Sequence, residues 1–114
     1  MAYSSIVFLI GRGVLAALFI LAGLNKILGP RPVLAHMAEE HVPALLFPFV
    51  IAVEIGCGAA LLLGWHAAIA AAILAAFCIA TAVVFHRNFG DRAERTQFFK
   101  DIALAGALAA IATL

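Results

Sequence analysis

The sequence predicts an all-α integral membrane protein, a four-helix bundle, from its composition, its hydropathy and the lengths of its apolar runs. Of its 114 residues, 67% are apolar and 11% charged, against about 45 to 50% and about 25% in an ordinary soluble domain. The mean hydropathy is +1.18. A soluble domain of this size could not shield so many apolar side chains from water. The apolar runs cover about 5–28, 43–64, 67–85 and 98–114. Each can cross a core of about 30 Å as a helix, so residues 1–114 are expected to form a single transmembrane domain.

The connectors between the runs carry residues that terminate helices. Residues 29–32 (Gly-Pro-Arg-Pro) are predicted to stop the first helix, residues 64–66 (Gly-Trp-His) to form a tight turn, and residues 88–91 (Asn-Phe-Gly-Asp) to open the third loop. The runs are apolar at both odd and even positions, which excludes the alternation of a transmembrane strand. A signal peptide is disfavoured for the first run, because no basic residue precedes Arg12 and the apolar stretch is long.

The basic residues predict an orientation in the cell inner membrane. Six of the seven fall in or beside the first and third connectors, namely Lys26, Arg31, Arg87, Arg92, Arg95 and Lys100. Because cytoplasmic loops carry the excess of Lys and Arg, loops one and three are expected in the cytoplasm and both termini outside. No basic run supports binding of nucleic acid, and the lipid bilayer is the expected surrounding.

Small residues and cysteines within the runs have mainly structural interpretations. Spacings of four residues between small side chains are consistent with close helix packing, although Ala and Gly are common in such helices; the pairs are Gly13 and Ala17, Ala76 and Ala80, and Gly106 and Ala110. Cys57 and Cys78 form no Cys-x-x-Cys motif and differ in predicted depth by about 8 Å. Both are interpreted as buried apolar side chains.

Glu54 is the clearest ionisable residue inside a predicted span. A charge at the bilayer centre costs at least about 2.5 to 3.5 kcal/mol, so it normally faces the bundle interior and has a partner. Counting from the ends of the runs, Arg12 lies within a few ångströms of the same depth and is the expected partner. Such a pair either fixes the register of two helices, or carries a proton, holds a cation or orients a polar head group.

A second group of polar residues is predicted near the cytoplasmic edge. It consists of Asn25, Lys26, His86, Gln97, Lys100 and Asp101. Convergence of polar side chains beside apolar helices suits an amphipathic ligand such as a quinone, whereas the alternative for Lys26 and Lys100 is that they extend toward the interface. Residues 36–41 gather two His and two Glu, but without the usual ligand spacing they are interpreted as an interfacial turn, and no metal site is predicted.

The polar residues belong to stretches that resemble the DoxX-like family of small membrane proteins. The likeness extends through residues 11–12, 19–26 (Phe-Ile-Leu-Ala-Gly-Leu-Asn-Lys), 53–58 (Val-Glu-Ile-Gly-Cys-Gly), 85–86 and 97–106. The resemblance implies a four-helix membrane protein with polar family positions at Arg12, Lys26, Glu54, His86 and Lys100. Asp101 stands where the family pattern has Asn. Some members look like small subunits of quinol- or thiosulfate-linked oxidoreductases, and others are tied to detoxification or oxidative stress.

Three functions are compatible with these residues. The first is an accessory or quinone-associated component of a membrane oxidoreductase, with no intrinsic cofactor, a bound quinone and a partner redox subunit. The candidate ligand-binding or proton-relay residues are Arg12, Asn25, Lys26, Glu54, His86, Gln97 and Lys100. The second is a small proton-coupled exporter acting as a homodimer, and the third is a purely structural membrane subunit. The sequence does not decide whether the chain itself is catalytic.

Overall fold

The computed structural model describes residues 2–85, 90 and 92–113, apart from the side chains of residues 2–5, 85 and 94. Within these residues the chain forms helices and connecting turns. The α-helices are α1 (Ala2–Leu28), α2 (Arg31–Glu39), α3 (Phe47–Leu63), α4 (Ala67–Phe85) and α5 (Arg92–Ala112), with a 3₁₀ turn at Ala44–Leu46 before α3.

The prediction of an all-α membrane protein is confirmed. Three segments have the length and composition to cross a membrane, namely Ile6–Leu28, Ala44–Leu63 and Ala67–Val84. Helix α5 is 21 residues long, but its first turns are polar because it begins at Arg92, ahead of the apolar run that was predicted to start near residue 98. A fourth crossing by α5 therefore stays a prediction.

Helix α2 is a short amphipathic helix in loop one that the sequence did not predict. Its nine residues include 36–39 of the stretch 36–41 that was expected to be an interfacial turn, and only Glu40 and His41 form a turn. Pro32 lies in its first turn, where the missing N–H of proline leaves no helical hydrogen bond unmade. Met37 is 1% exposed, so α2 lies against the protein through its apolar side.

The long helices pack in the order α1, α3, α4 and α5, each against the next. They enclose one core, to which α4 contributes most. Its members are Ala16 and Phe19 of α1, Leu61 of α3, Ala71, Leu74, Ala75 and Cys78 of α4, and Ala105 and Leu108 of α5. A compact core of small and branched side chains fixes the positions of polar residues that face inward from these helices.

Two glycines allow the close contact of α1 with α3. A Cβ atom at Gly23 would lie 2.5 Å from Cγ1 of Ile55, and one at Gly58 would lie 2.9 Å from Cγ1 of Ile20. The six small residues expected at helix contacts mostly face outward: Ala17, Ala76, Ala80, Gly106 and Ala110 are exposed, and nothing lies within 4 Å of a Cβ placed at Gly13 or Gly106. Of the two interpretations, the one in which Ala and Gly are simply common in such helices fits these positions, because four-residue spacing does not identify which face is buried.

Candidate functional site

An ion pair inside the bundle joins α1 to α3. Lys26 Nζ lies 2.6 Å from Glu54 Oε1, and the side chains are 20% and 3% exposed. Glu54 is the charged residue that is buried among the residues described. Because each carboxylate oxygen can accept more than one hydrogen bond, Glu54 keeps acceptor capacity beside its contact with Lys26.

The antiparallel register of α1 and α3 brings these two side chains together. Gly23 packs beside Glu54 and Ile55, which places Lys26 slightly nearer than Glu54 to the end of the bundle that carries loop one. Side chains of a helix lean toward its N-terminus. Because the helices run in opposite directions, Lys26 leans toward the level of Glu54 and Glu54 leans back toward Lys26.

Asp101 of α5 and Cys78 of α4 complete a cluster to which every long helix contributes. Asp101 lies close enough to Glu54 for their charges to interact, and both carboxyl groups act on Cys78. We call Lys26, Glu54, Cys78 and Asp101 the ion-pair cluster. At 1.5 Å per residue, Glu54 lies about 10 Å along α3 from the end that follows loop one, so the cluster is inside the membrane but nearer to loops one and three.

Three of the other residues predicted near this edge lie outside the cluster. Asn25, Gln97 and Lys100 are exposed, which for Lys100 agrees with extension toward the interface. His86 lies outside the described residues. Adjacent residues of one helix can therefore face different surroundings, because neighbours such as Lys100 and Asp101 point about 100° apart around the axis.

Arg12 is not the partner of Glu54, and that prediction is wrong. Its guanidinium lies beside Gly64: a Cβ atom added to Gly64 would be 3.2 Å from Nη2 of Arg12. The Cζ atom of Arg12 is 6.0 Å from the ring centre of Phe8. Gly64 follows α3 and is about 15 Å along the axis from Glu54. The depth estimate failed because it began the second helix at residue 43, whereas α3 begins at Phe47, and because it ignored the direction in which side chains lean.

Sequence reasoning also missed two members of the cluster as candidates. Asp101 was grouped with the cytoplasmic edge but not selected, although its departure from the expected Asn was a usable signal. Cys78 was interpreted as a buried apolar side chain, and it is 2% exposed; its position within electrostatic range of two carboxyl groups is a tertiary feature that no motif encodes. Both cysteines are free, as the predicted difference in depth requires.

The cluster offers complementary chemistry in a small volume. An ammonium group donates hydrogen bonds and a carboxylate accepts them, and both interact strongly where little water is present. Burying such charges is expensive in a membrane, which makes them candidates for function. Among the residues described, no group of three or more His, Cys, Asp and Glu is placed to hold a metal ion.

Comparison with known proteins identifies the family. The DoxX family model matches residues 7–87, a segment that contains Lys26, Glu54 and Cys78. The chain belongs to the DoxX family. It is also 35% identical over 98 residues to the protein named inner membrane protein YqjF from Escherichia coli (strain K12), covering 86% of this chain and 75% of that relative. No solved structure matches the chain, and Asp101 lies beyond the matched DoxX segment.

Proposed function

We propose that this DoxX-family protein is an accessory component of an inner-membrane oxidoreductase system and binds the head group of a quinone at the ion-pair cluster. The observation that carries the proposal is the contact of 2.6 Å between Lys26 Nζ and Glu54 Oε1, with Glu54 almost fully buried. A charge pair in this position is costly to keep. A ligand that binds both the ammonium group of Lys26 and the carboxylate of Glu54 explains why the protein keeps this pair.

The chemistry of a quinone suits these two groups. Its carbonyl oxygens accept hydrogen bonds, as from an ammonium group, and the hydroxyl groups of the quinol donate them, as to a carboxylate. Reduction of a quinone to a quinol takes up two electrons and two protons. In this proposal a partner redox subunit supplies the two electrons, Lys26 donates one proton from Nζ, and Glu54 takes up the second proton from water at Oε1 and passes it on; a further proton from water then restores Lys26.

The ion-pair cluster can exchange protons with the end of the bundle that carries loops one and three. The Lys26 side chain is 20% exposed, whereas that of Glu54 is 3% exposed, and α1 ends at Leu28. Lys26 therefore connects the buried carboxylate to the end of the bundle that carries loops one and three. With those loops in the cytoplasm, as the basic residues predict, protons would enter from the cytoplasmic side.

Two supports outside the cluster agree with the proposed setting. The relative from Escherichia coli is named an inner membrane protein, and three segments of this chain can cross a membrane. A homodimeric exporter of cations is less suited to the geometry, because Lys26 already neutralises the carboxylate that such a substrate would need.

Native mass spectrometry of the protein released from mild detergent tests the proposal. We expect a quinone-sized adduct on the parent protein and its loss in Glu54→Gln, which keeps the shape of the side chain but removes its charge. Glu39→Gln is the matched control, because Glu39 is exposed on α2, and it should keep the adduct. A parent protein without the adduct, or an adduct retained by Glu54→Gln, would contradict the proposal.

The structural alternative makes a different prediction for the apolar double variant Lys26→Met with Glu54→Leu. Replacing a buried ion pair by apolar residues of similar volume is often neutral or stabilising. If the pair serves only packing, this variant should fold and keep every ligand and partner of the parent protein. If the pair binds a head group, the variant should fold equally well and lose the adduct.

A further inference from the structure

An apolar groove runs along the outer surface between α3 and α4. Its volume is about 400 Å³, within the range of ligand pockets. Small side chains of α3 form one wall and branched side chains of α4 form the other; they include Ala52, Gly56, Ala60, Ile69 and Ile73. Nothing lies within 4 Å of a Cβ atom placed at Gly56, so the groove is open to the surrounding lipid.

The groove ends at an aromatic pair in the turn between the two helices. Trp65 and His66 both line it, and their rings meet edge to face with centroids 4.3 Å apart. Both side chains are exposed. Tryptophan is enriched where a membrane meets water, which places this end of the groove at the level of lipid head groups.

One cation lies at the same turn, and no acidic side chain among the described residues pairs with it. The guanidinium of Arg12 lies against Gly64, directly before Trp65, and its buried Nε has no hydrogen-bond partner among the residues described. The acidic residues of the chain belong to loops one and three, the ends of the helices beside them, or the ion-pair cluster. They are Glu39, Glu40, Glu54, Asp91, Glu94 and Asp101.

We propose that this end of the molecule binds one anionic phospholipid, with its phosphate at Arg12 and His66 and one acyl chain in the groove. A guanidinium group and a phosphate form strong, charge-assisted hydrogen bonds, so the phosphate supplies a counter-charge that no described Asp or Glu side chain supplies at this turn. The groove accepts the chain because small residues at positions 52, 56 and 60 leave room between α3 and α4. The proposed phosphate position beside Gly64 lies about 15 Å along α3 from Glu54, so this proposal and the quinone proposal concern different residues and can be tested separately.

The fluorescence of Trp65 provides a direct test, because it is the single tryptophan of the chain. Phospholipids brominated on the acyl chain, with phosphatidylglycerol or phosphatidylcholine head groups, would be titrated into protein in neutral detergent micelles. We expect saturable quenching at lower concentration by the anionic lipid than by the zwitterionic one. Arg12→Gln should weaken apparent binding of the anionic lipid by about tenfold or more and remove the difference between the lipids.

A second variant tests the groove without disturbing the charge. Gly56→Leu places its side chain in the groove, and its Cβ atom has no other atom of the fold within 4 Å, so it should reduce quenching by both lipids. Gly106→Leu is the matched control, because it places the same side chain in open space on α5, outside the groove, and should leave quenching unchanged. Circular dichroism of each variant checks that the helices are intact.

Several outcomes would overturn the proposal. They are equal quenching by the two head groups in the parent protein, an unchanged preference in Arg12→Gln, and unchanged quenching in Gly56→Leu. Displacement of the brominated lipid by a long-chain quinone at lower concentration would assign the groove to that ligand instead. A parent dimer that Gly56→Leu dissociates would assign it to a second copy of the chain. Glu54→Gln should retain the lipid preference, which separates this test from that of the quinone site.

Discussion

Helix α1 carries one cation at each of two regions of the bundle, and their surroundings differ. Lys26 lies 2.6 Å from a carboxylate of α3 inside the ion-pair cluster. Arg12 lies beside the turn after α3, where the chain supplies no Asp or Glu side chain. The first charge is paired with a carboxylate, whereas the second has no Asp or Glu partner among the described residues. The comparison shows that two cations of one apolar helix can have different surroundings, because their positions along the helix decide which residues of α3 lie next to them.

The largest expected effect is a difference in the free energy of unfolding between the variants Lys26→Met and Arg12→Met. Lys26→Met leaves the Glu54 carboxylate buried without its counter-charge, and breaking such a pair costs about 3–5 kcal/mol. Arg12→Met removes a half-buried cation that has no acidic partner in the described structure, so the expected change is less than about 1 kcal/mol. The free energy of unfolding in mixed detergent micelles would be measured for both. Equal losses, or a greater loss for Arg12→Met, would contradict the assignment of partners.

A smaller effect is expected in the helix contact that holds the two regions in register. Gly58→Ala places a Cβ atom 2.9 Å from Ile20 Cγ1 and 3.3 Å from the carbonyl oxygen of Ala16, and such overpacking costs about 1–3 kcal/mol. Gly56→Ala, two residues earlier on the same helix, meets open space and should gain up to about 1 kcal/mol of helix propensity. The same unfolding measurement compares them. A neutral Gly58→Ala would show that α1 and α3 are not closely packed.

The smallest stability effect is expected at the turn end. Gly64 has φ of +75°, a left-handed conformation that costs a residue with a side chain about 1–2 kcal/mol. Its amide donates to the carbonyl of Leu61, and the amide of Trp65 donates to that of Ala60, which closes α3. Gly64→Ala should lower the free energy of unfolding by about 1 kcal/mol, whereas Gly106→Ala, at an exposed position of α5, should not lower it. Thermal unfolding of the two variants checks the difference.

The long helices were predictable because lipid imposes a simple rule on apolar runs. The first, second and third runs correspond to α1, to the 3₁₀ turn with α3, and to α4. Helix α2 was missed because nine residues without a long apolar run carry little periodic signal. The start of α5 was placed late because hydropathy marks the membrane core and not the polar turns that extend a helix beyond it.

The candidate site was only partly predictable. Burial cost correctly selected Glu54 as a residue that needs a partner, and Lys26 was among the candidates. Choosing between Lys26 and Arg12 required the register set by Gly23 and Gly58, which depends on contacts between helices. The inward direction of Asp101 and the outward direction of Lys100 also depend on how α5 is rotated against α4, and a hydropathy pattern does not specify that rotation.

The partner of Glu54 is the central claim, and a double-mutant cycle tests it most directly. Unfolding free energies would be measured for Lys26→Met, Arg12→Met and Glu54→Gln, and for Glu54→Gln combined with each of the other two. Contacting residues couple by about 0.5–3 kcal/mol, and distant ones add to within about 0.5 kcal/mol. We predict coupling above about 1 kcal/mol for Lys26 with Glu54 and additivity for Arg12 with Glu54. Additivity for Lys26 with strong coupling for Arg12 would contradict the account.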